Sequence, residues 1–115
     1  MAIKAESLRL YLVTDPHLCA QLGVENTVEA AARGGVSMVQ LRDKDASTAE
    51  RAALATRLKP ICAQYKIPLV INDDVEAALQ SDVDGVHVGQ GDMAASLARE
   101  KLCKNKILGL SVETI

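Results

Sequence analysis

Five short apolar segments recur along the chain with helix-like stretches between them, and this alternation limits the fold more than any other feature. The segments are Leu8–Thr14 (LRLYLVT), Met38–Leu41 (MVQL), Ile67–Asn72 (IPLVIN), Gly85–Val88 (GVHV) and Ile107–Val112 (ILGLSV). Strand alternating with helix at this spacing predicts βαβ units and a parallel sheet. Right-handed crossovers then bring every strand C-terminus to one edge.

The intervening stretches carry their own punctuation. Asp15-Pro16 ends the first strand, since proline cannot continue a ladder. Asn26 with Glu29 three residues on predicts a helix start, and Gly34-Gly35 its stop. Ser47 and Glu50 form an S-x-x-E capping box. It opens a long amphipathic helix in which Ala53, Leu54, Leu58, Ile61 and Cys62 recur at helical spacing. Pro60 inside it predicts a kink or an earlier end. A short helix is expected from about Val75 to Ser81, and another from Asp92 or Met93 to about Leu102.

Side chains alternate faces along a strand, so parity sorts these segments into two surfaces. Tyr11, Val13 and Asp15 share one face with Met38, Gln40 and Arg42, with Val70 and Asn72, with His87, and with Gly109 and Ser111. The opposite face is uniformly aliphatic: Leu10, Leu12, Val39, Leu41, Leu69, Ile71, Val86, Val88, Leu108 and Leu110. One face is therefore fit to pack helices, and the other turns polar towards its C-terminal end. That is the pattern of a barrel or half-barrel with a functional mouth.

Size and composition narrow the function. At 115 residues the chain reads as a single domain over residues 1–115. No apolar run approaches the roughly 18 residues of a membrane span, and the start lacks a signal-peptide layout. Cys19, Cys62 and Cys103 are odd in number and fit no zinc spacing, which points to reduced thiols in a cytoplasmic protein. A net charge of −2 with no Trp or Phe argues against a nucleic-acid surface. The expected partners are small molecules.

Several residues at the polar edge invite chemistry, each beside a plainer role. Asp73 and Asp92 follow the third and fourth strands, where two carboxylates can hold magnesium or can cap helices. Arg42 and Lys44 alternate with Asp43 and Asp45; they are a solvated charge run or the cations that a diphosphate requires. Asn72 and Gln40 offer amides suited to a heteroaromatic ring edge. His87 is an interior or a catalytic histidine, Tyr11 core or site, and Ser111 a phosphate donor or a small residue at a crowded point.

The set LYLVTD, GGVSMVQLRDK, IPLVINDD, DGVHVGQGD and ILGLSV, in this order and spacing, resembles the N-terminal part of the thiamine-phosphate synthase (thiamine-phosphate pyrophosphorylase) family. The resemblance implies an α/β fold of parallel (β/α) units from a TIM-type barrel, here about four βα units plus a fifth strand. It implies a Mg2+-dependent transferase joining hydroxymethylpyrimidine diphosphate to hydroxyethylthiazole phosphate, with thiamine phosphate and pyrophosphate as products. Gln40, Leu41, Arg42, Asp43 and Lys44 with Asn72 would hold the pyrimidine diphosphate, and Asp73 and Asp92 its magnesium. Tyr11 and His87 would lie near the pyrimidine. Arg42, Lys44 and Ser111 would stabilise the leaving diphosphate, and no protein nucleophile is needed.

Gly91 and Glu113 depart from residues common in the family, Glu and His respectively. Family members are about twice as long, in keeping with the roughly 200-residue lower end of such barrels. Five strands cannot close an eight-stranded barrel, so this chain alone is expected to be inactive and to form homo-oligomers. A diphosphate-binding half-barrel without catalysis and a thiazole tautomerase-like barrel protein are the alternatives.

Overall fold

Five parallel strands form one sheet whose spatial order, β1-β2-β3-β4-β5, repeats their order in the chain. The computed structural model describes residues 10–16, 21, 23–89, 99–100 and 106–111, with Gly89, Leu110 and Ser111 described in backbone alone. Its elements are β1 (Tyr11–Val13), α1 (Val24–Arg33), β2 (Met38–Leu41), α2 (Thr48–Gln64), β3 (Leu69–Asn72), α3 (Val75–Ser81), β4 (Gly85–Gly89) and β5 (Ile107–Ser111). Successive parallel strands that are also spatial neighbours, with helices between them, are (β/α) units of a partial TIM-type barrel. Arg99 and Glu100 are helical, and the rest of the helix expected from Asp92 or Met93 to about Leu102 lies outside the described residues.

Parity along the strands decides which face is which. Val39, Leu41, Leu69, Ile71, Val86 and Val88 pack in one cluster with Val28 and Ala32 of α1, Ala52, Ala55, Leu58 and Cys62 of α2, and Val75, Ala77 and Ala78 of α3. All three helices thus cover the aliphatic face. Leu58, Leu41 and Ile71 are fully buried there, and each such side chain contributes about 1.5–3 kcal/mol. The other face keeps a smaller apolar floor of Met38, Val70 and Ile107, with Tyr11 against it.

Some helix details differ from the sequence reading. α1 is capped at Gly23, with no side-chain cap, so the Asn26–Glu29 capping box does not form. Val24 packs on the core and draws the start forward, while Glu29 pairs with Arg33 one turn on at 2.9 Å. In α2 the Ser47–Glu50 capping box is present. Leu58 and Cys62 are buried and Leu54 and Ile61 pack against the core, but Ala53 is exposed, and Ala52 and Ala55 are buried instead. Four consecutive apolar residues, AALA, fit two helical phases, and packing against the sheet selects one. α2 also runs through Pro60 to Gln64. The buried Leu58 and Cys62 on either side of the proline hold that turn to the sheet.

Among the described residues, no helix is long and apolar enough to cross a membrane.

Candidate functional site

The register of the sheet gathers the polar side chains of the inner face into one cleft. Val13 stands opposite Gln40, Gln40 opposite Val70, Asn72 opposite His87, and His87 opposite Gly109. The result is an open cavity of about 380 Å³ lined by Tyr11, Val13, Gln40, Arg42, Asn72 and His87. Four strands supply its walls, and each contributes the residue that parity assigned to this face. At its base the Gln40 amide donates through Nε2 to the Tyr11 hydroxyl at 3.0 Å. Burial raises the Tyr11 phenol above its ordinary range, with the Gln40 hydrogen bond acting the other way. The phenol is therefore neutral and able to donate in turn.

Arg42 also belongs to a second cavity, of about 230 Å³, lined with it by Asp15, Pro16, Asp43, Lys44 and Asp45. The loop after β2 thus presents its cations beside the first cleft. Two contacts set its path. The Arg42 backbone N–H donates to the buried Thr14 hydroxyl at 3.1 Å. The guanidinium of Arg51, from the first turn of α2, donates to the carbonyls of Asp43 and Lys44. The Arg42 guanidinium itself stands 3.9 Å from the Asp15 carboxylate. Neither Thr14 nor Arg51 was legible as a site residue: Thr14 reads as the end of a strand, and Arg51 as one cation on a helix.

The loop after β3 decides which of two adjacent aspartates caps α3. Asp74, not Asp73, caps α3, its carboxylate accepting from the Ala77 N–H at 3.0 Å. Burial opposes ionisation of Asp74, but the Ala77 N–H, Arg51 and Thr48 together outweigh it and hold its pKa below the ordinary carboxylate range. Asp73 sits in left-handed backbone with φ 61°, exposed at the strand end. Its N–H donates to the His87 carbonyl at 2.7 Å, and its carboxylate accepts from the Asn72 amide at 3.1 Å. A non-glycine residue in this region costs of order 1 kcal/mol or more. That places a solvent-accessible carboxylate directly beyond Asn72 and His87. Asp92, expected to share its cation, lies outside the described residues. Among the described residues no three His, Cys, Asp or Glu side chains group as metal ligands.

Gly109 makes room for His87: a Cβ placed on it would come 2.4 Å from His87 Nδ1. Ser111 pairs with Gly89 in the β4–β5 register, and its side chain lies outside the described residues. Gly91 and Glu113 also lie outside them. Leu41 turns its side chain away from the cleft. Its side chain is 1% exposed in the helix-packed core, because it alternates with Gln40 and Arg42. The amides, the phenol and imidazole, and the neighbouring cations offer contacts for a ring edge and for an anion beside it.

Comparison with known proteins agrees with this architecture. The sequence profile of the family described as thiamine monophosphate synthase matches residues 10–115. A thiamine-phosphate synthase of Clostridium acetobutylicum is 45% identical over 113 residues, covering 98% of this chain and 54% of that protein. One from Xanthobacter autotrophicus is 50% identical over 109 residues, covering 95% and 52%. Among solved structures, a thiamine phosphate pyrophosphorylase from Pyrococcus furiosus superposes with a TM-score of 0.84 at 34% identity, over 93% of this chain and 51% of that one. The chain spans about half the length of the curated relatives it matches.

Proposed function

The chain belongs to the thiamine monophosphate synthase family, and on that premise we propose that it carries the pyrimidine-diphosphate half of a thiamine-phosphate synthase site. The reaction is the condensation of hydroxymethylpyrimidine diphosphate with hydroxyethylthiazole phosphate. The thiazole nitrogen forms a bond to the pyrimidine methylene, and the carbon–oxygen bond to the diphosphate breaks with its electron pair leaving on pyrophosphate. One observation carries the reading: Tyr11, Gln40, Asn72 and His87, drawn from four strands, line a single cleft with Arg42 from the loop after β2.

In this reading Gln40 and Asn72 direct their amides at the pyrimidine edge, with Tyr11 and His87 beside the ring. Arg42 and Lys44 hold the diphosphate, and the Asp43–Lys44 backbone sets the loop that carries them. Ser111 adds a hydroxyl to the leaving group. The side chain of Leu41 is left out, and its role is to seat the strand. Asp73 and Asp92 would hold magnesium, whose chemistry when bound is to neutralise charge on the departing diphosphate. Asp73 fits that role because it is accessible and Asp74 does the capping. One or two carboxylates, with water and phosphate oxygens, are the usual magnesium donor set. The side chains assigned here bind, orient and balance charge, and none acts as nucleophile.

The same reading makes residues 1–115 one domain, the N-terminal portion of a cytoplasmic barrel enzyme. It also makes this chain by itself inactive and self-associating. Leu10 and Val13 at β1 are 52% and 46% exposed, and β1 is an edge strand of the described sheet. A clean monomer at high concentration in a sedimentation experiment would count against the association.

The decisive test is calorimetric titration of this chain with hydroxymethylpyrimidine diphosphate, with and without magnesium. Binding should depend on magnesium and should weaken strongly in Asp73→Asn and in Arg42→Ala. Magnesium-dependent binding lost in Asp73→Asn would support the pyrimidine-diphosphate half-site. No binding at all would overturn the assignment.

A further inference from the structure

A single side chain of α2 touches both loops that border the cleft. Arg51 donates through Nε to the Asp43 carbonyl at 2.8 Å, through Nη2 to the Lys44 carbonyl at 3.2 Å, and through Nη1 to Asp74 Oδ2 at 3.0 Å. The first two acceptors lie in the loop that carries Arg42 and Lys44. The third adjoins Asp73. The contact is largely shielded, with the Arg51 and Asp74 side chains 19% and 8% exposed, so salt screens it less than a surface pair. Only a guanidinium presents a planar fork able to reach three acceptors at once; an ammonium is a single point. Arg51 lines neither cavity, which makes it a positioning residue.

We propose that Arg51 couples the two loops, so that an anion held by Arg42 and Lys44 and a divalent cation held by Asp73 strengthen each other's binding beyond their direct attraction. This rests on the functional reading above. The physical basis is shared ordering. When one loop is fixed by its ligand, the rigid fork fixes the other, and the second ligand no longer bears that entropic cost. Cut the fork and each loop orders separately.

The test is calorimetric titration of this chain with inorganic pyrophosphate, at zero and at saturating magnesium. The ratio of the two affinities is the coupling factor. Arg51→Met and Arg51→Lys should each reduce that factor about tenfold, within the usual range for coupled sites, while binding without magnesium persists. Asp74→Asn keeps an acceptor for the Ala77 N–H but loses the carboxylate that Arg51 grips. It should lower the factor similarly, and the double variant with Arg51→Met should lose little more. Asp74→Asn also carries the test if Arg51→Met does not fold. Folded variants with lowered melting temperature but an unchanged factor would show that Arg51 is structural only, and the proposal would fall. Wild-type protein that binds no pyrophosphate even with magnesium would overturn the functional reading and this inference together.

Discussion

The His87 imidazole occupies the space that a side chain at Gly109 would need, with Nδ1 2.4 Å from where the Cβ would stand. The two residues are register partners on adjacent parallel strands. Gly109→Ala should therefore push the imidazole out of its place in the cleft and cost about 1–3 kcal/mol of stability, as overpacking does. Urea denaturation reads the cost, and imidazole nitrogen chemical shifts read the displacement. Gly85→Ala should be worse. Its Cβ would meet the Ile107 carbonyl oxygen at 2.0 Å, which is backbone and cannot rotate aside.

Two hydroxyls hold residues that line the cleft. Tyr11→Phe removes the acceptor of the buried Gln40 amide. Thr14→Val, nearly the same shape, removes the acceptor of the Arg42 N–H. Each leaves a donor short of a partner and should destabilise by about 1–3 kcal/mol. Chemical denaturation measures both. Thr14→Ser, which keeps the hydroxyl, should recover part of the loss; if Thr14→Val proves neutral, the hydroxyl does not hold the loop.

Asp74 sets an acid limit on stability. Its folded pKa is depressed below the ordinary carboxylate value of 3.8. A depressed carboxylate contributes stability above its unfolded pKa, and that contribution is lost as pH falls through the folded pKa. Melting temperature should therefore drop as the solution is acidified below about pH 4. Asp74→Asn should start lower at neutral pH and show a shallower acid decline. An identical acid slope in the variant would assign the decline to other carboxylates.

Cys62 should be inert. Burial first, and the nearby Asp84 second, push its thiol up to about 11. Little thiolate is present near neutrality, and the sulfur is covered. Iodoacetamide at pH 8 followed by peptide mapping should leave Cys62 unmodified in the native protein and label it after denaturation. A raised thiol pKa contributes stability below the unfolded value of 9.0 and loses it as pH rises towards about 11. Cys62→Ala should remove that alkaline component.

The cleft was legible where it follows from alternation. Tyr11, Gln40, Arg42, Asn72 and His87 share a face because a strand has a period of two, and the structure brings them to one cavity. The same rule puts the Leu41 side chain on the opposite face, in the helix-packed core. Choices between adjacent residues were not legible. Asp73 and Asp74 have the same side chain one position apart, and helix geometry at α3 selects Asp74 as cap. The AALA run of α2 left the phase of its buried stripe open until the helix met the sheet.

Local chemistry alone therefore determined the order of strands and helices, the Ser47–Glu50 cap, the bounds of α3 and the division of the sheet into an aliphatic and a polar face. These depend on interactions within a few residues, or on a period the chain carries along its length. Tertiary structure alone decided that Arg51 reaches Asp74, 23 positions away, and that Gly109 yields its space to His87. Such contacts join residues distant in sequence, and their geometry exists only once the crossovers have set the register of the sheet.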